Sequence, residues 1–426
     1  MMKAAAVTQT DFSDLLQRMG AQARAAYAAL AQSSGEARTK ALRNCAAKLR
    51  AESAAILKAN AKDVAQGEGR ISKAMIDRLT LNPQRLEGIA TALEEVAKQP
   101  DPIGRVLEEW TRPNGLKFQR VSVPLGVIGM IYESRPNVTA EAFSICFRAG
   151  NAIILRCGSD CFESSAAIAK VLQEAIAETG LPKECIQLVP TTDRDAVGAM
   201  LRLSGVIDVI VPRGGRELIE RVEKESRIPL LRQYEGVCHI YIDAEADAKK
   251  AVAVTHNAKM RRTSICGAAE CVLFDRKAGA GTAAQVVKDL LDSNCEVRGD
   301  KEVQALDPRV KPAASTDWGH EFLDAVMAAR MVDGVDGALE HIQRYGSHHT
   351  DSIITENKQT AEKFCRNVDS AIVMVNASTQ FADGGEFGFG GEVGISTGSL
   401  HARGPIGAAQ LTSYKYIVLG NGQTRA

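Results

Sequence analysis

Between residues 124 and 382 short apolar runs alternate with longer amphipathic ones, and this rhythm narrows the possible folds more than any other feature of the chain. In the first half, 127–132, 152–155, 186–189 and 207–211 read as strands, with helices predicted over 140–149 and 164–179 and closed by Gly150 and Gly180. In the second half, strands are expected at 238–242, 271–274, 325–332, 351–355 and 371–375, with helices over 246–259, 283–291, 338–345 and 361–367. Strands separated by a helix's length of chain pair through crossovers, so this spacing specifies parallel sheets. The predicted class is α/β, with two parallel-sheet domains, because 426 residues exceed what one core usually supports.

Two flanking regions differ in period. Residues 11–100 carry apolar side chains at three- and four-residue spacing (Leu15, Leu16, Met19; Leu42, Ala46, Leu49) and predict amphipathic helices. Around Arg112-Pro113-Asn114-Gly115 the alternation becomes strand-like, and Asn-Gly between two such runs signals a hairpin over 105–123. Such a hairpin suits a docking arm for another subunit. Residues 414–418 read as a final strand.

Charge is balanced, with 52 Lys plus Arg against 52 Asp plus Glu, which argues against nucleic acid or an anionic membrane as the main partner. No secretory signal opens the chain and no apolar run is long enough to span a bilayer. The ten cysteines form no CxxC pairs, so no metal site is expected, and reduced thiols in a cytoplasm are.

One cysteine stands apart. Cys266 lies in the small-residue run Thr263-Ser264-Ile265-Cys266-Gly267-Ala268, where a helix gives way to a loop before a strand. Lys259, Arg261 and Arg262 precede it, and positive charge favours the thiolate, which is the nucleophile. Cys238 and Cys271 read as strand-packing residues. Turns follow the predicted strands at 132–137, at Arg156-Cys157-Gly158-Ser159 and at Arg213-Gly214-Gly215, where open parallel sheets bind ligands, although none matches GxGxxG. A glycine-rich tail, 383–392, leads to Ser396-Thr397 and to His401 and Arg403, two apart in a loop bounded by glycine and proline. Those two side chains suit a shared anion.

Eight segments in order carry a resemblance: Pro124-Leu125-Gly126-Val127, 132–139, Gly150-Asn151-Ala152, 211–215, Gly236-Val237-Cys238-His239, Asn257-Ala258-Lys259, 345–350 and 400–405. The chain resembles the γ-glutamyl phosphate reductase family, a branch of the aldehyde dehydrogenase superfamily. The resemblance implies an NADP(H)-binding domain over 1–104 and 124–235, a catalytic domain over 236–382, and an oligomerisation unit from 105–123 and 405–426. It places the nucleophile at Cys266 and the ribose-binding carboxylate at Glu321. The cofactor set expected is Arg156, Gly158, Ser159, Arg213, Gly214, Gly215 and Glu321, with Arg156 for the 2′-phosphate because Ser159 stands where lysine is frequent. Gly267 departs from the family pattern, where asparagine often follows the nucleophile.

The chemistry implied is NADPH-dependent reduction of L-glutamyl 5-phosphate to L-glutamate 5-semialdehyde and phosphate, in proline biosynthesis. Cys266 would form a thioester, and its own N–H together with Asn137 would hold the oxyanion. Substrate anions would meet Arg135, Ser396, Thr397, His401 and Arg403. No convincing carboxylate base for water is found around 230–235. A homo-oligomer and a functional contact with glutamate 5-kinase are implied as partners. Two other readings stay open: a hydrolytic aldehyde dehydrogenase, and a non-enzymatic structural or interaction protein.

Overall fold

The computed structural model describes residues 9–232 and 235–425. The start of the N-terminal segment, and Gln233 and Tyr234 in the stretch searched for a base, lie outside the described residues. The chain divides into two units. One holds the chain up to Arg232 with Gly388–Gly394 and Ile406–Ala426; the other holds Gln233–Phe387 and Ile395–Pro405. The tail is thus shared between the units, a division that the sequence rhythm does not signal.

The first unit opens with five helices: α1 (Gln9–Gln32), α2 (Gly35–Ala51), α3 (Ser53–Gly67), α4 (Lys73–Leu79) and α5 (Pro83–Lys98). The starts of α2 and α5 are written locally. Ser34 accepts from the Ala37 N–H, and Asn82 from that of Arg85 with Pro83 in the first turn. One face of α5 is buried through Leu86, Ile89, Ala90, Leu93, Val96 and Ala97. The hairpin follows as β1 (Val106–Thr111) and β2 (Lys117–Pro124).

Four parallel strands come next, β3 (Val127–Tyr132), β4 (Ala152–Cys157), β5 (Ile186–Leu188) and β6 (Val209–Arg213), in the order β5-β4-β3-β6. The helices are α6 (Val138–Arg148), α7 (Phe162–Ala177), α8 (Arg194–Met200) and α9 (Arg216–Glu225). Every residue of β3 and β4 is buried, which is why 127–132 and 152–155 read as unbroken apolar runs.

The second unit contains β7 (Cys238–Ile242), α10 (Ala248–Met260), β8 (Ala269–Asp275), α11 (Gly279–Asp292), β9 (Glu296–Gly299), α12 (Lys301–Gln304), β10 (Lys311–Pro312), β11 (Val326–Val332), α13 (Gly334–Tyr345), β12 (Thr350–Ile354), α14 (Lys358–Asn367) and β13 (Ile372–Val375). Its seven-stranded parallel sheet runs β10-β9-β11-β8-β7-β12-β13. Alternation along the strands sorts two cores. Ile240, Ile242, Val272 and Phe274 join residues of α10 and α11 on one face; Tyr241, Cys271 and Leu273 join Ile342 of α13 and Phe364 of α14 on the other. A short ladder, β14 (Ile395–Ser396) with β15 (Gly404–Pro405), completes the unit. In the first unit β16 (Thr412–Leu419) pairs antiparallel with β2, giving the sheet β1-β2-β16.

Candidate active site

In the first unit the three turns singled out by sequence sit at the carboxyl ends of adjacent strands. Order reverses between β3 and β6, so the turns after these two flank a topological switch point. Backbone bonds tie them together: the Glu133 N–H donates to the Arg213 carbonyl at 3.2 Å, and that of Gly158 to the Tyr132 carbonyl at 2.8 Å. Ser134 holds a left-handed φ of 49° and bonds Asp160. A Cβ on Gly214 would lie 2.7 Å from a Glu133 carboxylate oxygen, whereas one on Gly215, at the start of α9, would meet nothing within 4 Å. The result is open space before a helix N-terminus, which suits an anionic group.

Asn137 precedes α6 and donates one amide N–H to Glu141 at 3.0 Å; burial pushes the Glu141 carboxyl up. Its amide has a second N–H to offer. Ser159 is exposed, and Arg135 is half-buried. Arg156 differs from expectation. It is 6 % exposed, and its Nη2 donates to the Thr192 and Asp193 carbonyls at 2.9 and 3.1 Å. This guanidinium braces β4 against the loop before α8, whereas a 2′-phosphate clamp was expected to project freely.

In the second unit Cys266 lies between α10 and β8, at the amino end of the strands. It is half-buried and packs against Ile372, Ala382 and Ile395, which brings β14, with Ser396 and Thr397, into its neighbourhood. Its backbone is held closely. The Cys238 thiol donates to the Cys266 carbonyl at 3.1 Å, and a Cβ on Gly236 would fall 2.0 Å from that same oxygen. Glu321 accepts from the Gly236 N–H at 2.8 Å, so this carboxylate fixes the segment that abuts the nucleophile. Gly267 has a physical reason: a Cβ there would stand 3.0 Å from the Thr379 carbonyl.

The cations before the nucleophile are distributed otherwise than their sequence position suggests. Lys259 is fully buried and paired with Glu270, and Arg261 donates to the Gln380 side chain at 3.1 Å. Arg403 pairs with Asp369 at 2.7 Å, which holds the Asp369 carboxyl below its usual range; His401 is exposed. Ser396 and Thr397 are buried, and Thr397 Oγ1 has no protein partner among the described residues. Sequence reasoning assigned no role to Gly236 or Glu270, and read Cys238 only as a strand-packing residue. Gly236 and Val237 were visible only as part of the family resemblance.

A parallel sheet with a switch-point cleft, and a second sheet carrying a half-exposed cysteine in a small-residue loop, define a class. The chain belongs to the aldehyde dehydrogenase family, whose family model matches residues 2–304. Its relatives are more particular. It is 56 % identical to the γ-glutamyl phosphate reductase of Paramagnetospirillum magneticum over 420 residues, 98 % of this chain and 99 % of that one. It is 55 % identical to that of Rhizorhabdus wittichii, covering 97 % and 96 %. Among solved structures, the γ-glutamyl phosphate reductase of Thermotoga maritima matches with a TM-score of 0.94 at 42 % identity, over 97 % of this chain and all of that one.

Proposed function

We infer that this protein is a glutamate-5-semialdehyde dehydrogenase of the phosphorylating type, which reduces L-glutamyl 5-phosphate with NADPH to L-glutamate 5-semialdehyde and phosphate in proline biosynthesis. The observation that carries the reading is 56 % identity over 98 % of the chain to a γ-glutamyl phosphate reductase. In this mechanism the Cys266 thiolate attacks the acyl carbon, the C–O bond to phosphate breaks, and a thioester remains. NADPH, when bound, supplies the hydride that reduces it. Collapse of the resulting oxyanion re-forms the carbonyl as the aldehyde and returns the thiolate. The Cys266 N–H and the remaining Asn137 N–H are assigned to that oxyanion.

The residues present fit a nicotinamide cofactor: the space at Gly215 before α9 accepts a pyrophosphate, with Gly158, Ser159, Arg213 and Gly214 around the same strand ends. Glu321 is assigned to the ribose. The unpartnered Thr397 hydroxyl supports a substrate role for Ser396 and Thr397, joined by Arg135, His401 and Arg403. The first unit then carries the cofactor and the second the thiol.

A homo-oligomer is proposed through the sheet β1-β2-β16. It leaves Val106, Leu107, Tyr414, Tyr416, Val418 and Leu419 exposed, an apolar strip of the kind that marks interfaces. Among the described residues no helix is long and apolar enough to cross a membrane. Ten free cysteines support a cytoplasmic setting. Acyl phosphates hydrolyse readily, which favours contact with glutamate 5-kinase. The test is NADPH oxidation with enzymatically generated L-glutamyl 5-phosphate: the wild type turns over and a folded Cys266→Ala variant does not. Substantial turnover by that variant overturns the assignment.

A further inference from the structure

A second cluster lies on the α13 face of the catalytic sheet. His239, Cys271 and Asp351 form one row across β7, β8 and β12, because His239 is in register with both of the others. From α13, His341 closes over the row, its Nε2 3.7 Å from Cys271 Sγ and its ring edge-on to that of His239. One ligand atom from each of His239, Cys271 and His341 lies within 4.8 Å of the other two. All three side chains are buried, His239 completely.

The polar partners of these groups show what the cluster lacks. His239 Nδ1 faces Asp351 Oδ1 at 3.0 Å, so the carboxylate holds the proton on Nδ1 and leaves Nε2 as a bare lone pair. Among the described residues that Nε2 has no hydrogen-bond partner, although it is fully buried. A carboxylate behind one imidazole nitrogen, with the other unpartnered and a thiol and a second imidazole close by, is the arrangement that orients histidine toward a metal ion. Tetrahedral zinc with these donors sets nitrogen and sulfur about 3.6 Å apart, given its usual bond lengths. The separation of His341 from Cys271 is already 3.7 Å.

We propose that His239, Cys271 and His341 form a binding site for a thiophilic divalent cation, Zn2+ by preference, with Arg330 as its built-in competitor. The cation bonds His239 Nε2, Cys271 Sγ and His341 Nε2, the thiol proton leaves to solvent, and a water fills the fourth position. Entry is through a cleft of about 410 Å³ lined by His341, Arg276, Arg330, Asp333, Arg344 and Tyr345. The Arg330 guanidinium now donates to His341 Nδ1 at 3.2 Å. Coordination through Nε2 puts the proton on Nδ1, so that hydrogen bond and the metal exclude each other. Arg330 already lies over the Trp318 ring, 5.6 Å from its centroid, and retreats along it into the cleft. Sequence spacing hides such a site because its donors come from three separate elements.

The test is binding of Zn2+ alone, and of Co2+ as a spectroscopic stand-in, to the purified full chain in a Cys266→Ala background that removes the half-exposed thiol. The expected result is one Co2+ per chain with a thiolate-to-cobalt charge-transfer band and tetrahedral visible bands, displaced by Zn2+. Cys271→Ser, nearly isosteric, loses the charge-transfer band and weakens Zn2+ at least tenfold. Arg330→Met, on the cleft side, tightens Zn2+ at least tenfold. Absence of stoichiometric binding to the Cys266→Ala chain overturns the proposal whatever the Arg330 variant does, as does a charge-transfer band that survives Cys271→Ser.

Discussion

The Nζ of Lys259 lies 2.6 Å from Oε2 of Glu270, and neither side chain is more than 1 % exposed. Lys259 sits at the end of α10 and Glu270 at the start of β8, so the pair clamps both ends of the loop that carries Cys266. Breaking a buried pair from one side leaves an uncompensated charge, which costs about 3–5 kcal/mol, whereas an apolar replacement of both is often neutral. At pH 8, above the Glu270 titration, Lys259→Met is therefore expected to destabilise by up to that amount in urea denaturation, and Lys259→Met/Glu270→Met to recover most of it.

The same pair sets a pH dependence. Burial pushes the Glu270 carboxyl up to about 7 from its ordinary 4.5, against the pull of Lys259. Between those values the native state holds a proton that the unfolded chain has lost, so this contribution is complete below pH 4.5 and disappears as pH rises through 7. Stability of the wild type relative to the double variant should fall by up to about 3 kcal/mol between pH 5 and pH 8. Denaturation at the two pH values checks this; an unchanged or rising difference contradicts it.

Gly236 leaves no room for a side chain, because a Cβ would fall 2.0 Å from the Cys266 carbonyl oxygen, and backbone cannot step aside as a side-chain tip does. Gly236→Ala must shift the nucleophile loop. A displacement near 1 Å lowers reaction rates about a hundredfold. Steady-state kcat/KM should drop by at least that factor while the circular dichroism spectrum is retained.

Arg156 and Arg403 are separable by kinetics. As a brace on the Thr192 and Asp193 carbonyls, Arg156 should weaken NADPH and NADH alike when changed to Ala, together with a lower Tm. Selective loss of NADPH would restore it to the 2′-phosphate. For Arg403→Ala the KM for the phosphorylated substrate should rise and that for NADPH stay put. Asp369→Asn, which releases Arg403 from its 2.7 Å partner, should leave NADPH binding equally unaffected.

Much of the fold was legible in the chain for a physical reason. Strands β3, β4, β7 and β8 are buried throughout and so read as continuous apolar runs. Strand β9 escaped because Glu296 and Arg298 face outward and pair with each other, and β10 because it has two residues, both exposed. The loop that carries Cys266 was legible from its small residues between a helix and a strand. The partner of Lys259 was not: sequence position reads it as one of the cations that favour the Cys266 thiolate, and only the tertiary fold brings Glu270 to it. The partners of Arg156 were hidden for the converse reason, since an arginine at a strand end gives no sign that carbonyls from a distant loop will accept from it.

The central claim is a thioester at Cys266 whose acyl partner is phosphate. Its most direct measurement is NADP+ reduction with L-glutamate 5-semialdehyde as inorganic phosphate is varied. The account predicts reduction that requires phosphate, saturates with it and vanishes in Cys266→Ala. Phosphate-independent reduction with glutamate as product would contradict it, because water and not phosphate would then be the group that meets the thioester.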